Sequence, residues 1–147
     1  MDPSTDTAFH ALLTGSHRRL VGRALGPEPD RGAAWLYAEA PFAVLAHDLG
    51  PDPRFVYANR AAQACFGYAW SEIVGMPSRL SAEAPDRAER QRLLDAVARD
   101  GFVAGYAGIR IDRSGRRFPI ADGVVWQLID ADGVLHGQAA TFPPPPG

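Results

Sequence analysis

The sequence predicts an α+β domain in which a five-stranded antiparallel sheet carries short helices on one face and is preceded by N-terminal amphipathic helices. Two observations predict this class, the order of the elements and the turns that join them. Two short apolar runs come first, several short helical segments and one longer helix follow, and three further apolar runs come last. Tight turns rich in Gly, Pro and Asp join neighbouring runs, and such turns connect antiparallel strands.

Length and composition fit one domain with its own core. The chain has 147 residues, of which 46% are hydrophobic and 22% charged, so it is not expected to be disordered. Fifteen basic and seventeen acidic residues are interleaved and sum to −2, which argues against a nucleic-acid or membrane surface as partner. All the basic residues are Arg, which genome composition explains. We therefore expect neither nucleic acid nor membrane to be a partner.

The single cysteine and the short apolar runs argue against a disulfide-linked or cysteine-rich metal protein and against a membrane or secreted one. A single cysteine, Cys65, allows no internal disulfide and no multi-cysteine metal site. No apolar run approaches the ~20 residues of a membrane span, and the N-terminus lacks the basic and apolar stretches of a signal peptide. A cytoplasmic location is the expectation.

The first 40 residues are predicted to form a helical extension. Residues 7–25 form an amphipathic helix, because their apolar residues fall on one stripe. These residues are Phe9, Leu12, Leu13, Leu20, Val21, Ala24 and Leu25. Gly15 and Gly22 each cost about 1 kcal/mol relative to Ala, so this helix needs packing against another surface. A turn over 26–32 and a short helix over 33–39 follow.

The main domain is predicted to span residues 41–142 and to open with a hairpin. Its strands are residues 42–48 and 54–59, joined by a turn containing Pro51 and Pro53. Asn59 is placed to cap a helix over 60–66, because its side-chain oxygen can accept from the first free amides.

Two more helices and three strands complete the domain. Gly67 ends the capped helix, a single helical turn covers 70–75, and one long helix runs from Pro85 to Gly101. The three strands are residues 102–112, 116–129 and 134–142, joined by two turns that begin with Asp and end with Gly. Residues 143–147 are predicted to be an extended polyproline tail.

Strand alternation assigns side chains to the two faces of the sheet. It groups Phe118, Ile120, Val124 and Trp126 in the fourth strand, and Phe102, Ala104, Tyr106 and Arg110 in the third. The outward face then includes Ile109, Ile111, Val125 and Ile129. Because this apolar face needs a cover, we expect residues 7–25 to lie on it or to pair with their copy in a homodimer.

Several motifs resemble PAS domains in order and spacing. In the first half they are residues 55–59, 66–68 and 72–75, and in the second half residues 110–118, 130–133 and 140–142. A narrower set is similar to the MEKHLA domain, the PAS-like module that also ends plant class III homeodomain-leucine zipper proteins. That set is residues 76–82, Arg110 with 115–118, and 137–142. The resemblance covers about residues 42–142.

The resemblance implies sensing or protein interaction, with a ligand cavity between the inner sheet face and the short helices. The candidate ligand-binding residues are Asn59, Trp70, Ser78, Arg79, Tyr106, Trp126 and Gln138. Arg79 could hold a carboxylate against aromatic walls, or it could form a salt bridge to Glu72 or Glu83. Trp70 and Trp126 could equally be core residues.

The resemblance also bears on cofactors. Light-oxygen-voltage (LOV) domains carry a reactive Cys where this chain has Ser78, so a cysteinyl-flavin adduct is disfavoured. Non-covalent flavin stays open, because Gln138 could bond a flavin edge, although Ile120 stands where those domains supply an Asn amide. Haem is disfavoured, since residues 84–100 contain no His.

Little in the sequence points to catalysis or to a metal. The four His residues have no metal-ligand spacing. His47 and Asp48 are neighbours in a strand and point to opposite faces, so they cannot form a dyad. We expect a small-molecule sensor that signals through protein interaction, or a ligand-free dimerisation adaptor with a filled core. A small α+β cone enzyme is a third hypothesis, for which no acid–base pair is found.

Overall fold

The computed structural model describes residues 2–145, so residues 146 and 147 of the predicted tail lie outside the described part. Five helices and five strands follow one another in the predicted order. They are α1 (Thr7–Val21), α2 (Ala33–Ala38), β1 (Ala43–His47), β2 (Phe55–Ala58), α3 (Arg60–Phe66), α4 (Trp70–Ile73), a 3-10 turn (Ser78–Ser81), α5 (Ala84–Asp100), β3 (Phe102–Ile111), β4 (Arg117–Ile129) and β5 (Leu135–Phe142). No helix in this part is long and apolar enough to cross a membrane.

The five strands form one antiparallel sheet in the order β2-β1-β5-β4-β3. The first hairpin therefore joins the sheet through β1, which pairs with the last strand from Ala43 opposite Phe142 to His47 opposite Gln138. This arrangement confirms the predicted fold class. It also brings the two ends of the main domain together at the centre of the sheet.

Asn59 fixes the junction between the first hairpin and the helices. Its side chain is fully buried, and its Oδ1 accepts from the amides of Val44 (2.9 Å) and Ala62 (3.0 Å). Its Nδ2 donates to the carbonyls of Leu36 and Phe42, each at 3.0 Å. The predicted helix cap is thus confirmed, and the same amide also ties α2 and β1 to α3.

The first helix ends earlier than the sequence suggests. We expected a helix over residues 7–25, but α1 stops at Val21, because Gly22 adopts a left-handed φ of 86° and its amide bonds Arg18. A glycine in this conformation is a common helix terminator. Leu25 nevertheless contributes to the core, since it is only 7% exposed in the segment after the helix.

Each face of the sheet carries its own apolar cluster. The inner cluster packs α3, α4 and α5 against the sheet, with Phe66, Ile73 and Val97 as members. The outer cluster packs α1 and α2 against the opposite face, with Leu13 and Leu36 buried there. The expectation that the N-terminal helix covers the outer face is therefore confirmed. The homodimer stays a prediction.

A switch in strand β4 makes part of the predicted alternation wrong. Phe118, Ile120 and Val125 belong to the inner cluster, whereas Val124 and Trp126 belong to the outer one. Asp122 in between has a left-handed φ of 54°, and the register with β3 shifts beside it. Even-numbered side chains therefore face the inner cluster before Asp122, and odd-numbered ones face it afterwards. In β3 a second shift, between Val103 and Tyr106, separates Phe102, in the outer cluster, from Tyr106 and Arg110 on the inner side.

The apolar residues that α1 covers accordingly differ from the predicted ones. Ile109, Ile111, Val125 and Ile129 were expected under the helix, but Val125 faces the inner cluster. The outer cluster instead contains Val124, Trp126 and Leu128 of β4.

Candidate functional site

A cavity of about 60 Å³ lies between the inner face of the sheet and helix α5. Its walls are mainly apolar, with Leu45, Phe66, Leu93, Ile120 and Phe142 among them. The regular β1, β4 and β5 ladders supply one wall, and the buried face of α5 supplies the other. The cavity therefore lies where the family resemblance implies a ligand.

Two buried arginines are the main polar groups of this cavity. Arg90 on α5 is 8% exposed, and its Nη2 donates to Ser78 Oγ at 2.6 Å. Burial, reinforced by the charge of Arg110, lowers the pKa of Arg90 to about 10, so it is still protonated at neutral pH. Arg110 on β3 is 6% exposed and donates to the carbonyl of Ile109 at 3.0 Å.

Tyr106 connects the second arginine to α5. The Arg110 guanidinium lies 5.5 Å from the centre of the Tyr106 ring, within the range of a cation–π contact. The Tyr106 hydroxyl donates to Glu89 Oε2 at 2.9 Å. Burial raises the pKa of this hydroxyl, which therefore remains a neutral donor. Gly108 gives the ring its space, because a Cβ there would lie 2.2 Å from the hydroxyl oxygen.

Two further polar residues of the cavity have buried atoms that lack a hydrogen-bond partner within residues 2–145. They are Nε2 of His47 and Oε1 of Gln138, on opposed positions of β1 and β5. Burial lowers the pKa of His47, which favours the neutral ring. Because its Nδ1 lies 2.9 Å from the carbonyl of Asp48, that nitrogen carries the proton and Nε2 is left as an acceptor. Both unpartnered atoms are therefore acceptors that a hydrogen-bond donor on a ligand could satisfy.

Of the seven predicted site residues, the structure brings Tyr106 and Gln138 to the cavity. Asn59 is held by its four hydrogen bonds at the helix junction. Trp70 packs edge-on against Tyr37 and Tyr57 on the outer side. Trp126 lies under α1, because of the switch at Asp122.

Ser78 and Arg79 also lie away from the lining. Ser78 is fully buried and contributes through Arg90, whose guanidinium it accepts from. Arg79 is half-exposed and pairs with Asp52 at 3.2 Å. The salt bridges predicted for it are wrong, because Glu72 pairs with Arg113 and Glu83 with Arg117.

The two buried arginines were not predicted as site residues. A signal for Arg90 existed in the sequence, since it stands three residues before Leu93 and seven before Val97, on the apolar stripe of the long helix. Arg110 was grouped with Tyr106 by alternation, which the structure supports. What the sequence could not show is that both guanidinium groups meet one cavity.

The residues present do not fit a flavin. Ser78 stands where LOV domains carry their reactive thiol, and its hydroxyl accepts a hydrogen bond from Arg90. Cofactor pockets usually measure about 300–1,000 Å³, several times the cavity found here. Gln138 Nε2, the group expected at a flavin edge, donates to the carbonyl of Leu94 at 3.2 Å. No group of three or more His, Cys, Asp or Glu placed to hold a metal ion is found within residues 2–145.

Two larger clefts border the N-terminal segment. One, of about 170 Å³, is lined by residues between His10 and Leu36, and the other, of about 260 Å³, by residues between His17 and Pro143. In the first, Arg18 pairs with Glu28, and His10 Nε2 bonds Asp30, although His10 Nδ1 is without a partner. We place the candidate site at the smaller cavity, because its two arginines and its His–Gln pair are all incompletely bonded.

Solved structures show the same fold. The PAS domain of a protein from Colwellia psychrerythraea is 15% identical, with a TM-score of 0.65 over 74% of this chain and 90% of that one. The LOV domain of the blue-light activated histidine kinase EL346 of Erythrobacter litoralis is 24% identical, with a TM-score of 0.59 over 71% and 95%. An RNA-binding LOV receptor is 25% identical, with a TM-score of 0.62 over 82% of this chain and 36% of that one.

The sequence comparisons agree with this fold. No curated protein is significantly similar to the chain. The sequence model of the MEKHLA domain family matches residues 7–144, which includes α1 as well as the whole sheet. The outer cluster explains why the match begins so early, since α1 shares a core with β4. This chain belongs to the MEKHLA domain family and has the fold of PAS and LOV domains.

Proposed function

We propose that this chain is a ligand-binding sensory module that signals through protein–protein interaction. The observation that carries the proposal is the pair of buried atoms, His47 Nε2 and Gln138 Oε1, that lack partners beside one cavity. An unsatisfied buried polar atom costs about 1–3 kcal/mol. A small molecule that bonds both atoms would therefore stabilise the occupied state.

The sheet offers a short connection from the cavity to α1. Val125 lines the cavity, and the next residue, Trp126, bonds Ser16 of α1 on the opposite face at 3.0 Å. Its ring also meets His17 edge-on at 4.8 Å. Because neighbouring residues of a strand are rigidly linked, a shift of β4 on ligand binding would reach α1 directly. We propose α1 as the element whose change a partner protein detects.

The polar groups of the cavity suit binding better than catalysis. The one carboxylate bonded to them, Glu89, accepts from Tyr106, and the other groups include arginines, a neutral histidine and an amide. The hydroxyls of Ser81 and Thr141 donate to backbone carbonyls. No nucleophile is paired with a base at hydrogen-bond distance among them, as acid–base or covalent chemistry requires. We therefore propose a non-enzymatic role. Turnover of a substrate that is abolished by a Gln138→Leu substitution would contradict it.

A ligand-free adaptor is the second candidate, and the small size of the cavity favours it. A space of about 60 Å³ is small beside ordinary ligand pockets, which measure about 300–1,000 Å³. In this alternative the chain would form a homodimer through residues 7–25 and the outer face.

Native mass spectrometry of the purified full chain separates the two candidates. Ala140 lines the cavity, so an Ala140→Leu substitution fills it, whereas the exposed Ala121 on β4 provides the matched control Ala121→Leu. The sensor predicts a bound mass in the wild type and in the control that is lost in Ala140→Leu. An unliganded mass for all three proteins, with no thermal stabilisation by mixtures of small metabolites, would favour the adaptor, and the same spectra report a dimer.

A further inference from the structure

We infer that the ligand of the cavity is a small organic anion, specifically a short hydroxycarboxylate, held by Arg90 and Arg110. The inference rests on the proposed function, because it names the class of molecule that the same cavity takes. It depends on three features of the site: unpaired buried cations, acceptors that lack donors, and a short apolar wall.

The two guanidinium groups are buried without a carboxylate partner. Within residues 2–145, neither has an Asp or Glu oxygen within 4.0 Å, although Arg99, Arg113 and Arg116 on the surface all do. Each guanidinium has five N–H donors, yet Arg90 makes one side-chain hydrogen bond and Arg110 one bond to a carbonyl. Most of their donors are therefore free to bind an anion.

The acidic residues near them are committed elsewhere. Glu89 accepts from the Tyr106 hydroxyl, and Asp52 pairs with Arg79 at the surface. Two like charges that are both more than nine-tenths buried are unfavourable in the folded chain. A bound carboxylate, with two oxygens that can accept from both arginines, would neutralise the pair and form charge-assisted hydrogen bonds.

His47 and Gln138, which also line the cavity, each have an acceptor atom that needs a hydrogen-bond donor from the ligand. His47 Nε2 and Gln138 Oε1 are both acceptors, and both are buried without a partner in the described chain. A simple carboxylate has only acceptors, so it would leave these two atoms unbonded. A hydroxyl group supplies one donor, which can bond one of these two atoms.

The remaining wall limits the size of the molecule. Leu45, Leu93 and Ile120 present apolar surface, which suits a short hydrocarbon body between the two polar ends. At about 10–15 Å³ for each water-sized group, the volume of about 60 Å³ suits a molecule of a few heavy atoms. These features together define a hydroxycarboxylate of a few carbon atoms.

A titration of the full chain followed by amide chemical shifts tests this inference with three probes of nearly equal shape. They are 3-hydroxybutanoate, butanoate, which lacks the hydroxyl, and 3-hydroxybutanamide, which lacks the charge. We expect 3-hydroxybutanoate to shift the amides of β5 around Gln138 and of α5 around Arg90. It should bind at least about tenfold more tightly than the amide, because hydrogen bonds to charged groups are the stronger ones.

Matched arginine variants locate the binding. Arg110→Met keeps most of the aliphatic volume but removes the charge, and we expect it to weaken 3-hydroxybutanoate at least about tenfold. Arg99→Met removes an exposed arginine and should leave the affinity unchanged. If Arg110→Met does not give a folded spectrum, Arg90→Met and Arg110→Lys provide the same comparison, since the lysine variant keeps the charge but loses the planar fork.

Each outcome decides the inference. Equal affinity for the amide and the acid, or an unchanged affinity in the arginine variants, would overturn the anion. Equal affinity for butanoate and 3-hydroxybutanoate would overturn the hydroxyl. If none of the probes binds while native mass spectrometry shows a bound molecule, this inference is wrong and the proposed sensory function stands.

Discussion

Trp126 donates its indole N–H to the hydroxyl of Ser16 across 3.0 Å, although 110 residues separate them in the chain. Both side chains are fully buried. The Ser16 hydroxyl in turn donates to the carbonyl of Leu12 at 2.6 Å, so the bond reaches the backbone of α1. The N-terminal helix is therefore joined to the sheet by a specific polar contact as well as by apolar packing.

Removing the acceptor of this bond should destabilise the fold. In a Ser16→Ala variant the Trp126 N–H stays buried without a partner, which costs about 1–3 kcal/mol. Urea denaturation should therefore show a lower midpoint, while Ser71→Ala, at an exposed position of α4, should change little. In the double variant Ser16→Ala with Trp126→Phe, no unsatisfied donor remains. Its loss of unfolding free energy should therefore be smaller than the sum of the losses of the two single variants. Strict additivity would contradict the role of this hydrogen bond.

Apolar packing of α1 is tested at Leu13, which is fully buried in the outer cluster. A Leu13→Ala substitution leaves a cavity between helix and sheet and should lower the free energy of unfolding by about 2–5 kcal/mol. Leu49 is 54% exposed, so Leu49→Ala should cost less than about 0.5 kcal/mol. Similar values for the two variants would mean that α1 is not packed as described.

Deleting residues 1–26 removes α1 from the outer face of the sheet and leaves α2 in the chain. Val124, Trp126 and Leu128 would then lie against water, so the truncated chain should melt at a lower temperature or associate through the exposed face. Calorimetry and native mass together measure both effects. If the melting temperature and the oligomeric mass both stay unchanged, α1 is neither a cover nor an interface.

Local chemistry explains why so much of the fold could be predicted from the sequence. Asn59 caps α3, while Gly67 and Gly101 follow the last residues of α3 and α5 with φ of 75° and 89°. Each of these signals acts within a few residues of its position, so it needs no knowledge of tertiary contacts. The order of elements, and with it the antiparallel sheet, follows from such signals.

The candidate site was harder to predict, because it depends on long-range geometry. A single left-handed residue, Asp122, moved Trp126 from the predicted cavity to the outer face. Arg79 and Arg90 both come from the region around α5, yet one reaches the surface and the other the cavity. Periodicity places Arg90 on the apolar stripe of α5, but only the folded structure shows that its guanidinium is buried and bonded to Ser78.

Asp122 itself should tolerate only certain residues. Its φ of 54° is costly for side chains branched at Cβ and free for glycine. We expect Asp122→Gly to be neutral or slightly stabilising, and Asp122→Val to cost about 1–2 kcal/mol in urea denaturation. Ala121→Val, one residue earlier and equally exposed, is the matched control. An Asp122→Val variant as stable as the control would show that the face switch needs no left-handed residue.

The last prediction concerns pH, because two histidines are held neutral inside the fold. Burial lowers the pKa of both His17 and His47 below the ordinary value of 6.5. In the unfolded chain these groups take up protons as the pH falls below about 6.5, while the folded chain resists doing so. The unfolded state then binds more protons, so the stability is complete above pH 6.5 and decreases as the pH falls toward the folded pKa values.

Aspartates do not obscure this effect. Hydrogen bonds from the Arg54 and Gly50 amides lower the pKa of Asp48 below 3.8, so the stability it contributes is lost only at more acidic pH. Urea denaturation between pH 7.5 and 5 should therefore show a steady loss that is smaller in His17→Gln and His47→Gln, and smallest in the double variant. Ser16→Ala, which lowers stability without removing a titrating group, should keep the wild-type slope. A wild-type slope in the double histidine variant would show that other groups cause the loss, and that His17 and His47 are already protonated or equally free to protonate in the folded chain.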